Sequence, residues 1–378
     1  MTDVVLFEEI QTEQGKIIGS ATLNSEKTLN ALSLEMIQQL HPKLLAWQED
    51  PNVVMVLLQG SGEKAFCAGG DVVSLYQEMK THEGAYSEKI ETFFTHEYQL
   101  DYLIHTYEKP ILLLGHGIVM GGGLGLMAGA SHRVVTERSR IAMPEITIGL
   151  YPDVGGSWFL NKMPTGCGLF LGLTGAPLNA SDAKTLKLAD FFVPTSEKTN
   201  LVESLKTLNW GDTIALNHQK LSDRLREIEQ NNLRQLPRGN LSPHMNMIES
   251  ITTYDRLAEV VDAILSYQTE DEWFLGAQKT LQHGSPISAH ILYRQMEFGA
   301  TKTLADCFRM ELGLSVNCGK FGEFAEGVRA LLIDKDRNPT WTYRTVNDVD
   351  PKVIDEFFVS PWDESSHPLK KLGIREEN

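Results

Sequence analysis

Two acids, Glu145 and Asp153, stand eight residues apart in the stretch AMPEITIGLYPDVGG, and every residue around them is apolar, hydroxyl-bearing or glycine. A carboxyl in apolar surroundings ionises reluctantly, and two such groups can divide the work of general acid and general base. A plainer reading stands beside this one. Glu145 would be a solvated or capping acid after Pro144, and Asp153 the N-cap of a helix over VGGSWFLNKM. A third acid, Glu97, lies in a helical pattern among aromatic and apolar residues, where it reads as a helix-surface acid or a ligand contact.

The other chemistry-bearing feature is glycine. CAGGD (67–71) and MGGGLG (120–125) each fall between a strand pattern and a helix pattern. Glycines there let the backbone turn tightly and let a ligand approach the amides at a helix start. If both turns converge, two amides bind one oxygen that becomes negative during reaction, an oxyanion hole. Packing and turn geometry alone would also explain either cluster. Competing motifs fail: there is no G-x-G-x-x-G at a strand end, no G-x-x-x-x-G-K-[ST] and no G-x-S-x-G, and HEYQL lacks the second histidine of a zinc protease.

The elements that must position these residues alternate. KIIGSATLN reads as a strand and SLEMIQQLHPKLLAWQED as a helix capped by Ser33. VVMVLLQG and ILLLGHGIV are apolar runs of the kind buried on both faces. VVSLYQEM and YSEKIETFFTHEYQLDYLIHTYEKP are helical, the second ended before Pro110. HRVVTERSRIAM supplies further short strands. Strand, glycine turn and helix recur over residues 1–195, an α/β class with a largely parallel sheet. Residues 196–378 read as a mainly helical C-terminal region of amphipathic patterns, with RQLPRGNLSPHMN as a loop and DESSHPLKKLGIREEN as a solvated end.

Composition bounds the partners. The chain has 378 residues, 42% hydrophobic and 22% charged, which is globular rather than disordered. Its formal charge of −16 argues against nucleic acid and anionic membranes. The first residues are acidic and lack arginine, and four scattered cysteines suit a reducing compartment, so a soluble, cytoplasmic protein is expected.

KAFCAGGD, MGGGLGLMAGASHRVVTERSRIAMPE and IGLYPDVGGSWFL together resemble the crotonase (enoyl-coenzyme A hydratase/isomerase) superfamily. More closely, they look like its branch that hydrolyses 3-hydroxyisobutyryl-coenzyme A. The likeness extends to LNALSLEMIQQL, HEYQLDYLIHTYEKP, LTGAPLNASDA and FAEGVRALLIDKDRNPTW. It implies a ClpP-like spiral of ββα units in two roughly perpendicular sheets, followed by a helical C-terminal region. It also implies an acyl-coenzyme A substrate, a place in valine catabolism, no metal or organic cofactor, and a homo-oligomer, trimer or hexamer.

Residue by residue, the resemblance makes Gly70 and Gly122 the oxyanion amides. Ala68 falls where the adenine end of coenzyme A is met, and Asp71 and Glu97 join the substrate-binding set. Gly125 stands where hydratases carry a glutamate that pairs with the position of Glu145, while Asp153 stands where hydratases carry glycine and the hydrolase branch carries aspartate. The acid pair has thus moved from Glu–Glu to Glu–Asp. Thioester hydrolysis is the expected reaction. The alternatives are hydration or isomerisation of another acyl-coenzyme A, or noncatalytic binding of one.

Overall fold

A computed structural model describes residues 3–374. The chain opens with β1 (Val5–Gln11) and β2 (Ile17–Leu23), an antiparallel pair, and then α1 (Leu34–Glu49). Ser33 caps α1 by accepting the Met36 amide at 3.2 Å, as its sequence position suggests. Helix α1 buries Met36, Ile37, Leu40, Leu44 and Trp47. Trp47 lies directly over Gly19 of β2, where a Cβ would come within 2.5 Å of its ring.

From there the chain adds strands in pairs. β3 (Val53–Gly60) is followed by β4 (Ala65–Cys67), β5 (Ile111–Gly115) by β6 (Ile118–Met120), and β7 (His132–Val135) by β8 (Arg140–Ala142). The first of each pair joins a six-stranded sheet ordered β1-β2-β3-β5-β7-β9, closed by β9 (Phe191–Phe192). The second joins a three-stranded sheet ordered β4-β6-β8. Each turn of the spiral therefore lengthens both sheets by one strand. From β2 onward the six-stranded sheet is parallel. That is why β3 and β5 are almost unbroken apolar runs: both faces are covered.

Between the strands lie α2 (Val72–Thr81), α3 (Glu88–His105) and α4 (Gly122–Gly129), and α5 (Gly156–Phe159) follows β8. Beyond β9 the described residues form helices and loops only. By contact density the chain makes two compact units. The first holds the chain up to Gly70 together with Leu103–Ile141 and Leu178–Ser242, and the second holds Asp71–Tyr102, Ala142–Pro177 and the chain from Pro243 onward.

In the first unit, Met55, Leu57, Leu112 and Leu114 of the sheet pack with Leu201, Leu205, Leu221 and Leu225 of the helices Lys198–Thr207 and Ile214–Asn232. Those helices are the covering layer that their amphipathic pattern predicts. In the second unit, the Tyr98 ring of α3 lies between those of Phe94 and Phe308, tilted to both, with ring centroids 5.7 and 5.6 Å away. Phe308 belongs to the long helix Leu304–Phe321, which a Thr303–Asp306 capping box starts.

The tail departs from its expected solvation. His367 and Leu369 are buried, and the Arg309 guanidinium donates to the Leu372 carbonyl at 2.9 Å. One apolar side chain and one cation are enough to fold a polar segment back; Arg375 and the residues after it lie outside the described residues. Among the described residues, no helix is long and apolar enough to cross a membrane.

Candidate active site

The first unit contains both glycine turns. β4 and β6 run parallel, with Ala65 opposite Ile118 and Cys67 opposite Val119, so the two turns leave the same end of adjacent strands. The Ala68–Gly70 turn is pinned from one side. Leu29 accepts the Ala68 amide at 3.1 Å, and the Leu32 amide donates to the Gly69 carbonyl at 2.8 Å. Leu29 and Asn30 are themselves left-handed, and the Asn30 side-chain amide donates to the Ser61 and Ala65 carbonyls, 3.0 Å to each.

On the neighbouring strand, Gly121 (φ +48°) caps α4, and the amides of Leu124 and Gly125 return to its carbonyl at 2.8 and 3.0 Å. Gly122 and Gly123 are the first residues of α4, whose amides have no carbonyl a turn back to bond and so face outward as donors. A Cβ on Gly123 would sit 2.4 Å from the Cys67 carbonyl oxygen, so only glycine lets α4 begin against the end of β4. Gly125 is buried on α4, which carries no acid at all.

The acids lie in the second unit. Glu145 follows Pro144 and starts a single 3-10 turn, Glu145–Ile148; it is 4% exposed, and its Oε2 has no hydrogen-bond partner. Asp153 is equally buried, and its Oδ2 accepts the Tyr98 hydroxyl at 2.7 Å. The plainer reading of Asp153 as a helix cap fails. The cap of α5 is Gly155, and the amides of Gly155 and Ser157 are taken by the two oxygens of Glu311, each at 2.8 Å, from a helix 156 and 154 positions along the chain. That clamp, with Gln295 donating to the Pro152 carbonyl at 2.5 Å, holds Val154 at φ +51°. A β-branched residue in the left-handed region is strained, and the strain sits beside the acid it aims.

Glu97 is no surface acid: it is 2% exposed on α3. One turn on, Asp101 is fully buried, and neither of its carboxyl oxygens has a partner. Burial pushes Glu97 well above the usual carboxylate range, and the charges of Asp153 and then Glu145 push it further. Asp101 is raised by burial, then by Glu97. Glu145 is raised by burial and by Asp153. Burial also lifts Asp153 to about 6, against the Tyr98 hydrogen bond that pulls it down. Glu311 rises to about 8 for the same first reason, although the amides it accepts oppose the rise. Glu97, Glu145 and Asp153 therefore form one electrostatic cluster, and such groups titrate as a set.

Ala68, Gly70 and Gly122 belong to the glycine turns of the first unit. Asp71 caps α2, accepting the Ser74 amide at 3.2 Å and the Ser74 hydroxyl at 2.5 Å. Sequence reasoning passed over Tyr98, Asp101, Tyr151, Glu311 and Ser315. A signal for some of them exists: Asp101 falls one helical turn after Glu97, and Glu311 is a lone acid that heads the small and apolar run LGLSV. Among the described residues, no group of three or more His, Cys, Asp or Glu is arranged to hold a metal ion.

Buried acids lie in one unit, and main-chain amides at the ends of parallel strands lie in the other. Residues 18–358 match the family described as enoyl-CoA hydratase/isomerase, and the chain belongs to that family. Two relatives are named 3-hydroxyisobutyryl-CoA hydrolase, mitochondrial. That of Gallus gallus is 37% identical over 341 residues, covering 90% of this chain and 86% of the relative. That of Danio rerio is 38% identical over 360 residues, covering 94% and 89%. The crystal structure of a carnitinyl-CoA dehydratase from Mycobacterium thermoresistibile superposes with a TM-score of 0.83 at 31% identity, over 96% of this chain and 98% of that one.

Proposed function

We propose that this protein hydrolyses 3-hydroxyisobutyryl-CoA to 3-hydroxyisobutyrate and free CoA, a step of valine catabolism. The observation that carries the reading is the pair Glu145 and Asp153. Both are buried, both are raised by burial, and no positive charge is among the causes of either shift. Such a pair holds one proton between two carboxyls near neutral pH, one member ready as base or nucleophile and the other as acid.

On this reading the amides of Gly70 and Gly122 receive the thioester oxygen as it becomes negative. Asp153, whose charge raises Glu145, first takes over the proton of the pair, and Glu145, then a carboxylate, either adds to the carbonyl carbon to give an acyl anhydride or takes a proton from the attacking water. The carbon–sulfur bond breaks, Asp153 gives its proton to the departing sulfur, and water supplies the oxygen of the product acid and the proton that resets the pair. Hydroxylamine trapping followed by peptide mass spectrometry separates the two roles, because only an anhydride leaves a hydroxamate on Glu145. Glu97, Ala68 and Asp71 are assigned to substrate binding, and no metal or organic cofactor is needed.

Hydration or isomerisation of another acyl-CoA is the second reading, supported by the likeness to a dehydratase structure. Against it stands Gly125, which leaves α4 without an acid. The test is a two-channel assay with 3-hydroxyisobutyryl-CoA and crotonyl-CoA. Thiol release from the first alone supports the hydrolase, loss of enoyl absorbance without thiol supports the second reading, and neither signal makes the chain an acyl-CoA binder. The four cysteines are buried and lie far apart in sequence, which supports a reducing, cytoplasmic setting, whereas the relatives' names place them in mitochondria. Fractionation of cells expressing the full chain decides the compartment, and sedimentation decides between a trimer and a hexamer.

A further inference from the structure

Behind Asp153 runs a line of hydroxyls that the proposed chemistry does not use. Tyr98 contacts Asp153 Oδ2 at 2.7 Å and Ser315 Oγ at 2.7 Å; Ser315 Oγ contacts the Tyr151 hydroxyl at 2.8 Å; and Tyr151 reaches the Glu311 carbonyl at 2.7 Å. All three hydroxyl-bearing residues are fully buried, so no water competes for these contacts. Each hydroxyl has one proton to give.

Counting protons distinguishes two states of this line. With Asp153 ionised, three hydroxyl protons serve four contacts: Tyr98 donates to Asp153, Ser315 to Tyr98, and Tyr151 must choose between Ser315 and the Glu311 carbonyl. With Asp153 protonated, the direction reverses. Asp153 donates to Tyr98, Tyr98 to Ser315, Ser315 to Tyr151 and Tyr151 to the carbonyl, and all four contacts are filled. The line ends on a carbonyl that cannot take a proton, so it conducts nothing to solvent.

The geometry points to Tyr98, Ser315 and Tyr151 as positioning residues that form a reversible hydroxyl chain, letting Asp153 gain and lose a proton without stranding a buried polar atom. A stranded atom would be costly, and an acid that must cycle through both states gains most from a partner that can turn around. The inference rests on Asp153 being the proton carrier of the proposed hydrolysis.

The other ionisable groups coupled to Asp153 are fixed by the fold. From α3 they are Glu97 and Asp101, and from the turn that opens at Pro144, Glu145. From the segment between that turn and Asp153 comes Tyr151, and from the helix Leu304–Phe321 come Glu311 and Cys318. The charge of Asp153 raises every one of them, whereas Asp153 itself is set by burial against the Tyr98 hydrogen bond. The chain acts on top of this background, and its removal is read as a change against it.

The experiment titrates Asp153 directly, by the carboxyl carbon-13 shift of labelled full-length protein, with Asp153→Asn assigning the resonance. Ser315→Ala removes two contacts from the protonated state and one from the ionised state, so the Asp153 midpoint should fall by about half a pH unit. Tyr98→Phe removes the charge-assisted bond to the carboxylate, so the midpoint should rise by about one unit. In the Tyr98→Phe background the chain is already cut, and Ser315→Ala should then move nothing. A midpoint that stays or rises in Ser315→Ala, or that falls equally in the Tyr98→Phe background, overturns the chain. Thiol release followed alongside keeps the two readings apart: protein that shows these shifts without thiol release keeps the chain and loses the hydrolase.

Discussion

On the proposed reading, the glycine turns and the acid cluster solve the same problem, holding functional groups in place, with opposite means. In the turns every useful group is a main-chain amide, held by bonds to strands β4 and β6 and to the Leu29–Leu32 segment. No charge is buried there, and the donors cost little while they wait. In the cluster Glu97, Asp101, Glu145 and Asp153 are all buried, and none of the charges acting on them is positive. Burying ionisable groups without a counter-charge works against folding, and such arrangements gather where chemistry needs a shifted pKa. One part of the molecule is positioned cheaply by backbone, and the other is positioned against its own electrostatics.

That contrast predicts opposite signs for stability. Glu145→Gln and Asp153→Asn should each lower thiol release by about 10²- to 10⁴-fold, the usual span for a lost acid–base group. The melting temperature at pH 8 should hold or rise in both, because the amide has no ionised form to bury. Gly123→Ala should lower activity and stability together. Its Cβ meets main chain rather than a flexible side chain, which costs about 1–3 kcal/mol of overpacking, and the displaced start of α4 moves an amide worth about 10²–10³ in rate. Calorimetry and thiol release on the three variants check this. An acid variant that melts far below the parent at pH 8 would remove the electrostatic half of the comparison.

Legibility divides along the same line. Ser33 as a cap, the doubly buried strands β3 and β5, and the turns at Gly70 and Gly122 were all visible locally, because their causes lie within a few residues. β1 was not, since its alternation VLFEEIQ is broken by adjacent acids and only pairing with β2 makes it a strand. The plainer reading of Asp153 as an N-cap rested on how commonly aspartate before a Gly-Gly helix start is one. The actual acceptor is Glu311, and nothing near Asp153 in sequence announces it. Glu97 looked exposed because the apolar partners that bury its face arrive from elsewhere in the chain. Groups placed by backbone could be read from sequence, whereas groups placed by distant side chains could not.

The smallest effect predicted is a slope. An acid whose pKa is higher in the folded than in the unfolded chain binds more protons when folded, so stability falls as pH rises between the two values. For Asp153 that interval runs from 3.8 to about 6, and for Glu311 from 4.5 to about 8. Between pH 6 and 8 Glu311 therefore contributes a loss that Asp153 no longer adds to. Glu311→Gln puts a donor where the carboxylate accepted two amides, so it lowers stability by an amount that does not depend on pH. It also deletes the titration, so the fall between pH 6 and 8 should flatten by at most about 1.4 kcal/mol per pH unit. Denaturant unfolding at several pH values measures both the offset and the slope. An offset without a change of slope would mean that the two amides keep Glu311 ionised throughout this range, and that the clamp on the Asp153 turn belongs with the glycine turns as a main-chain device rather than with the buried acids.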